Sequence, residues 1–282
     1  MIEWNPGAFD RLETVRAFAF DMDGTTYLGD RVLPGVPEFL AYLDDRGIPY
    51  VFLTNNSSKS RREYRAKLTR LGLPVREDAV MTSGEATLRY LKRERPGAGV
   101  YLVATPSFEE EAVEFGVRMV QPAEAEVAVL AYDTGLTFRK LRDLCDLVRR
   151  GLPFVATHPD VNCPVDGGYM PDVGAFLACI EKSTGRVPDL IVGKPYDLMI
   201  AALCERLALP AARIAYVGDR LYTDVAMAHR TGMLGALVLT GETKLSDLDG
   251  SEVRPDLVAD DMADLHRVLV DVLAKSAAGN LG

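Results

Sequence analysis

Asp21-Met22-Asp23-Gly24-Thr25 places two carboxylates two positions apart, directly after an apolar run at residues 15–20 of a 282-residue chain. Carboxylates so close repel each other unless a cation or a reaction uses them. In a tight turn they need not oppose each other as they would on a strand. One can point at a phosphorus atom while the other reaches the departing oxygen, which supplies a nucleophile and a general acid from a single loop. The bland account is an acidic turn closed by Asp23-Gly24. Three further clusters tip the balance toward chemistry.

Thr54-Asn55-Asn56-Ser57 follows a second apolar run and offers a hydroxyl, an amide and main-chain donors near a helix start, a set suited to phosphoryl oxygens as well as to helix capping. Gly193-Lys194-Pro195 follows a third. A lysine there is a compact charge able to neutralise a phosphate and an attacking carboxylate together, although Lys-Pro alone is a common surface turn. Gly218-Asp219-Arg220-Leu221-Tyr222-Thr223-Asp224 follows a fourth. Magnesium is held by oxygen ligands, commonly one or two carboxylates with several waters. Asp21 and Asp219 fit that requirement, with Asp224 placed behind them to orient a water or Lys194, or to cap the next helix.

Elements that could position these groups alternate along the chain. Apolar runs at 15–20 and 49–53 flank helical spacing over 36–46, a β-α-β unit that predicts parallel strands. Helical spacing returns at 60–71, with a strand at 79–81. Near the other end, strands at 190–192, 214–217, 234–239 and 257–259 alternate with helices at 198–208, 224–231 and 262–274. The expected fold is therefore α/β, a doubly wound Rossmann-like core with parallel strands, its ligands at the carboxyl ends of the strands. The middle carries its own strands at 99–103, 127–131 and 153–156, enough for a separate α/β cap. The expected division is a core of residues 1–83 and 188–282 with an inserted cap of 84–187.

Four clusters in this order, each at a strand end, resemble the haloacid dehalogenase superfamily. DMDGTTYLGD, LTNNSS, GAFLACIEKSTGR, VGKP and VGDRLYTD are similar to the subgroup of NagD-like and 4-nitrophenylphosphatase-like enzymes, which carry a large α/β cap. The resemblance covers the two flanking parts of the chain and departs from the family pattern at none of the catalytic positions. It implies a phosphatase in which Asp21 is the nucleophile and Asp23 the general acid and base. It further implies that Thr54, Asn55 and Lys194 bind phosphate, and that Asp21, Asp23 and Asp219 hold Mg2+ with Asp224 behind them. Asp23 argues against a dehalogenase, which attacks carbon and needs no second aspartate, and against the related ATPases, which carry threonine there. A phosphosugar mutase shares both aspartates, and a binding protein on a retired enzyme fold is the reading from another class.

A formal charge of −9 provides no basic field for nucleic acid, and no segment is apolar enough to suggest a membrane span, so a small phosphorylated metabolite is the expected partner. The start of the chain lacks a signal-peptide pattern and the four cysteines have no metal-like spacing, which sets the expectation of a cytoplasmic protein with reduced thiols. Similar proteins pair through their caps, so a homodimer is the expected assembly. Leaving-group recognition is expected from the cap, at His158 in the segment 157–160 and at Tyr169 and Met170 in the glycine-containing segment 167–172. The run 109–111 reads as a solvated helix start.

Overall fold

The computed structural model describes every residue except Met1, Trp4, Pro74, Glu77, Asp166 and residues 280–282. The chain forms two compact units, one of Met1–Leu53, Lys67–Ala79 and Leu203–Gly282, the other of Thr54–Ala66 and Val80–Ala202.

In the first unit the strands lie in the order Ile2–Glu3, Leu257–Ala259, Leu234–Val238, Ile214–Gly218, Ala17–Asp21, Tyr50–Thr54. All neighbours pair in parallel except Ile2–Glu3, an antiparallel edge that the hydrophobic pattern did not suggest. Every residue of Ala17–Asp21, Ile214–Gly218 and Leu234–Val238 is buried, as a sheet covered on both faces requires. Helix Val36–Asp45 turns Val36, Phe39, Leu40 and Leu43 inward. Its Phe39 ring meets Phe18 and Phe20 edge-on, with centroids 5.3 and 5.7 Å apart. Losing a ring packed this way costs about 3–5 kcal/mol, enough to make the aromatic layer a main support of the sheet. Ala17–Asp21 sits between Ile214–Gly218 and Tyr50–Thr54, where the winding reverses, so Asp21 emerges at the switch point that such sheets use for ligands.

The second unit is an α/β insert built on a parallel sheet in the order Leu190–Ile191, Phe154–Ala156, Val127–Leu130, Val100–Val103. Threonine hydroxyls start three of its helices: Thr82 accepts the Glu85 amide, Thr105 that of Phe108 and Thr137 that of Lys140. Strand Leu190–Ile191 looks in sequence like the first element of the returning core alternation. It pairs instead with Phe154–Ala156, because hydrophobic pattern fixes that a strand is buried but not which edge it joins. Residues 167–172, expected as a loop, supply half of an antiparallel hairpin, Asn162–Val165 with Gly168–Pro171.

Glu111 departs from expectation. It follows the N-terminal turn of helix Pro106–Glu114 but is buried, facing Glu85, itself buried, on helix Ser83–Glu94. Arg61 lies between them, 3.4 Å from Glu111 and 3.9 Å from Glu85, and Arg89 holds Glu85 at 2.9 Å. Burial, followed by the Glu85 charge and against the pull of Arg61, raises the Glu111 carboxyl from its ordinary 4.5 to about 7. The sign follows directly. Between these values the folded protein holds a proton that the unfolded chain releases, so this group favours folding below about pH 4.5 and its contribution is lost as pH rises to about 7. Glu111→Gln should remove that slope and be at least as stable as the parent above pH 7. Urea denaturation at several pH values between 4.5 and 8 measures it, and a parent-like slope in the variant contradicts it.

Candidate active site

Adjacent parallel strands deliver the acidic groups of the first unit. Phe20 pairs with Val217, so Asp21 and Asp219 leave the sheet side by side, two residues beyond that register on the second strand. After Asp219 the chain makes a π-helical turn, Leu221–Val225, before helix Ala226–Thr231, and this wider turn brings Asp224 back toward the strand end. Asp224 is therefore not the cap of that helix. Its two carboxylate oxygens accept from the Tyr216 hydroxyl at 3.2 Å and from the Arg220 amide at 3.3 Å. Asp21, Asp219 and Asp224 are all buried, each offering an oxygen within 4.8 Å of the others.

Such crowding shifts protonation. Burial first, then the charges of Asp21 and Asp224, raise Asp219 to about 7, against the Glu242 amide and Arg220, which favour the anion. Burial works against the Arg220 cation, but Asp21, Asp219 and Asp224 outweigh it and raise its affinity for a proton further. Three acidic groups in this state are compatible with a divalent metal, which would hold them as anions without a shared proton. The Asp23 carboxyl is outside this group. The Tyr27 hydroxyl reaches it at 3.4 Å, and burial raises its affinity for a proton, opposed by Lys67 and assisted by Asp21. Lys67 in turn lies 3.8 Å over the Tyr27 ring.

Residues 240–243 form a support that sequence reasoning missed. The Thr240 hydroxyl donates to Gly24 O at 2.7 Å, and the amides of Glu242 and Thr243 donate to Asp219 Oδ2 at 2.8 Å and to its carbonyl at 3.2 Å. Contact is so close that a Cβ on Gly241 would lie 2.0 Å from Asp219 Oδ2, and one on Gly24, which has φ +88°, 2.6 Å from the same atom. Both positions demand glycine. Arg220, also missed, pairs with Glu242 at 3.1 Å. A basic residue next to a candidate ligand aspartate was the available signal.

In the second unit Thr54 ends its strand and accepts the Asn56 amide on its hydroxyl at 3.1 Å. The Asn55 side chain clasps the main chain of Lys194, accepting its amide at 2.7 Å and donating to its carbonyl at 2.9 Å, while also donating to Asp160 at 3.0 Å. Clusters far apart in sequence are thus joined, and Lys194 is buried. His158 is 0% exposed, with its ring nitrogens 2.9 Å from Thr157 Oγ1 and Asp172 Oδ1. Of the three residues expected to meet a leaving group, only Tyr169 and Met170 are exposed, on one strand of the hairpin.

Comparison with known proteins agrees with this arrangement. Residues 18–118 match the model of haloacid dehalogenase-like hydrolases, and residues 191–265 that of HAD-hydrolase-like proteins. An acid sugar phosphatase of Staphylococcus aureus is 32% identical over 86% of this chain and 94% of its own length. A 4-nitrophenylphosphatase structure from Thermotoga maritima superposes with a TM-score of 0.88 at 41% identity, covering 91% of this chain and 98% of that one. NagD from Escherichia coli K-12 gives 0.82 at 28% identity, covering 89% and 98%. Among the described residues no helix is long and apolar enough to cross a membrane. The chain belongs to the haloacid dehalogenase superfamily of hydrolases, in the NagD-like subgroup of phosphatases with a Rossmann-like core and an α/β cap.

Proposed function

We propose that this phosphatase is Mg2+-dependent and hydrolyses phosphate monoesters of small metabolites through an aspartyl-phosphate on Asp21. The observation that carries the reading is the convergence of Asp21, Asp219 and Asp224 at neighbouring strand ends, with Asp23 beside them disposed to keep a proton. Asp21 attacks phosphorus and the bond to the ester oxygen breaks. Asp23 gives that oxygen a proton as it leaves, then takes one from the water that cleaves the acyl phosphate. A raised affinity for the proton suits the first of these tasks, since an acid already ionised has nothing to give.

Asp21, Asp23 and Asp219 would hold the metal, the Asp23 carboxyl keeping its part in proton transfer. Asp224 orients that set. Bound Mg2+ supplies charge that relieves repulsion between an anionic nucleophile and an anionic ester. Thr54 and Lys194 bind the phosphoryl oxygens in this reading, and Asn55, whose side chain is engaged with Lys194 and Asp160, contributes through its main-chain amide. Sugar phosphates and aryl phosphates are the first esters to test, given the activities for which the relatives are named. Segment 84–187 is assigned the leaving group, and two copies are assigned to pair through it.

Asp21→Asn should lower turnover of 4-nitrophenyl phosphate by on the order of 10⁴-fold or more, the scale on which loss of a nucleophile leaves only binding and charge stabilisation. The fold should survive, because one of three crowded charges is removed. Turnover within tenfold of the parent would exclude the covalent route. Protein stripped with EDTA should be inactive, recover with Mg2+ and be inhibited by Ca2+, whose larger coordination number lets it take both oxygens of a carboxylate and occupy the attacking atom. Full activity of the stripped protein would exclude the metal. Changes at Tyr169 and Met170 should alter the order of specificity constants among esters while sparing the common chemical step; losses equal for every ester would place recognition elsewhere.

A further inference from the structure

Buried polar groups beneath Lys194, outside the chemistry above, form one directed chain of hydrogen bonds. Asp172 starts helix Val173–Thr184, and its Oδ1 accepts the Val173 amide at 2.6 Å and lies 2.9 Å from His158 Nε2. A carboxylate only accepts, so Nε2 carries a proton. At the opposite side of the ring, Nδ1 lies 2.9 Å from the Thr157 hydroxyl, which lies 2.9 Å from the Ser57 hydroxyl, which accepts the Tyr132 amide at 2.9 Å. If Ser57 donates to Thr157 and Thr157 to Nδ1, every hydroxyl proton has a destination and the imidazole is neutral. The Ser83 hydroxyl, 3.4 Å from Nδ1, donates instead to the carbonyl of Asn55. Running the chain the other way would strand the Ser57 proton in a buried site.

This chain ends on the backbone that carries Lys194. The Thr157 carbonyl accepts the Gly193 amide at 2.7 Å, and a Cβ on Gly193 would stand 2.6 Å from Asn55 Oδ1 and 2.8 Å from His158 Cβ. Asn55, itself held by Ser83, clasps both main-chain polar groups of Lys194. Wholly buried, His158 cannot meet a leaving group, yet it packs directly under the residue before the lysine.

We propose that His158 and Asp172 are a positioning pair. They lock Thr157 and the packed Gly193, and through them fix the main chain from which the Lys194 ammonium projects. The inference rests on the reading of Lys194 as the charge that neutralises the phosphoryl group. Because every ester presents the same phosphoryl group, disturbing the pair acts equally on all substrates, unlike disturbing the exposed hairpin.

The test compares specificity constants of the parent, His158→Ala, Asp172→Ala, Asp172→Asn and Thr157→Val on 4-nitrophenyl phosphate and two sugar phosphates, with thermal unfolding to verify the fold. Both alanine variants should lose roughly 10–100-fold, by the same factor for every ester, as expected when a charged group is slightly misplaced. Asp172→Asn keeps an oxygen acceptor for Nε2–H and should stay within about threefold of the parent. In a Lys194→Ala background, His158→Ala should add no further loss. Should His158→Ala not fold, Thr157→Val removes one link and carries the same expectation of uniform loss. A changed ranking among esters, parent-like constants in a folded His158→Ala, or a further loss without Lys194 would overturn the proposal. If the parent hydrolyses no ester, the functional reading falls first. Calorimetric binding of orthophosphate with Mg2+ then decides the positioning role separately: weaker binding by His158→Ala supports it, and equal binding overturns it.

Discussion

Three carboxylates forced together in a buried place set the terms for the first unit. At distances of this order each pair of charges repels by on the order of 3 kcal/mol at an effective dielectric of about 20, and neither burial nor a third like charge relieves it. The surrounding structure is arranged as a response. Parallel strands fix Asp21 and Asp219 so that they cannot spread apart, the π-helical turn carries Asp224 inward, and residues 240–243 bring an amide to Asp219. Arg220 adds a cation that burial would otherwise disfavour. These contacts reduce the repulsion without abolishing it, as the elevated Asp219 indicates. A buried cluster of three carboxylates is suited to a cation and to an anionic group bound against it.

One part of the second unit solves the opposite problem. Its polar interior around Ser57, Thr157, His158 and Asp172 is satisfied group by group, which favours one arrangement over near alternatives rather than drawing in a ligand. The two kinds of interior suit two kinds of work. Crowded acidic groups are suited to gathering a cation, whereas a satisfied network is suited to holding a neighbour still.

What could be read from sequence was what lies within a residue or two of an apolar run. Asp21, Thr54, Lys194 and Asp219 could be singled out as candidates because strand pattern and candidate residue are contiguous, and the order of the four clusters carried the family. Residues 240–243 were not, because they act through main-chain amides and through the lack of a side chain at Gly241, neither of which leaves a distinctive spacing. Glu111 fits the rule for acidic residues near helix starts, yet its burial depends on Glu85 and Arg61 from two other helices. His158 was visible as a histidine after a strand. Its enclosure by Asp172, fourteen positions later, was not, because partner choice across a hairpin is a matter of tertiary packing. Strand Leu190–Ile191 makes the same point for the backbone: its existence was local information and its sheet was not.

The clasp of Asn55 on Lys194 has a bearing on how such a protein can diversify. It ties two distant segments of the second unit by hydrogen bonds between residues 139 positions apart in the chain, as close as neighbours in a turn. Once the ends are pinned, lengthening or replacing what lies between adds little closure entropy, since that term grows only with the logarithm of loop length. The stretch held between these two positions contains segment 84–187, so a change of length there costs little in chain entropy while the Asn55–Lys194 bonds stay made.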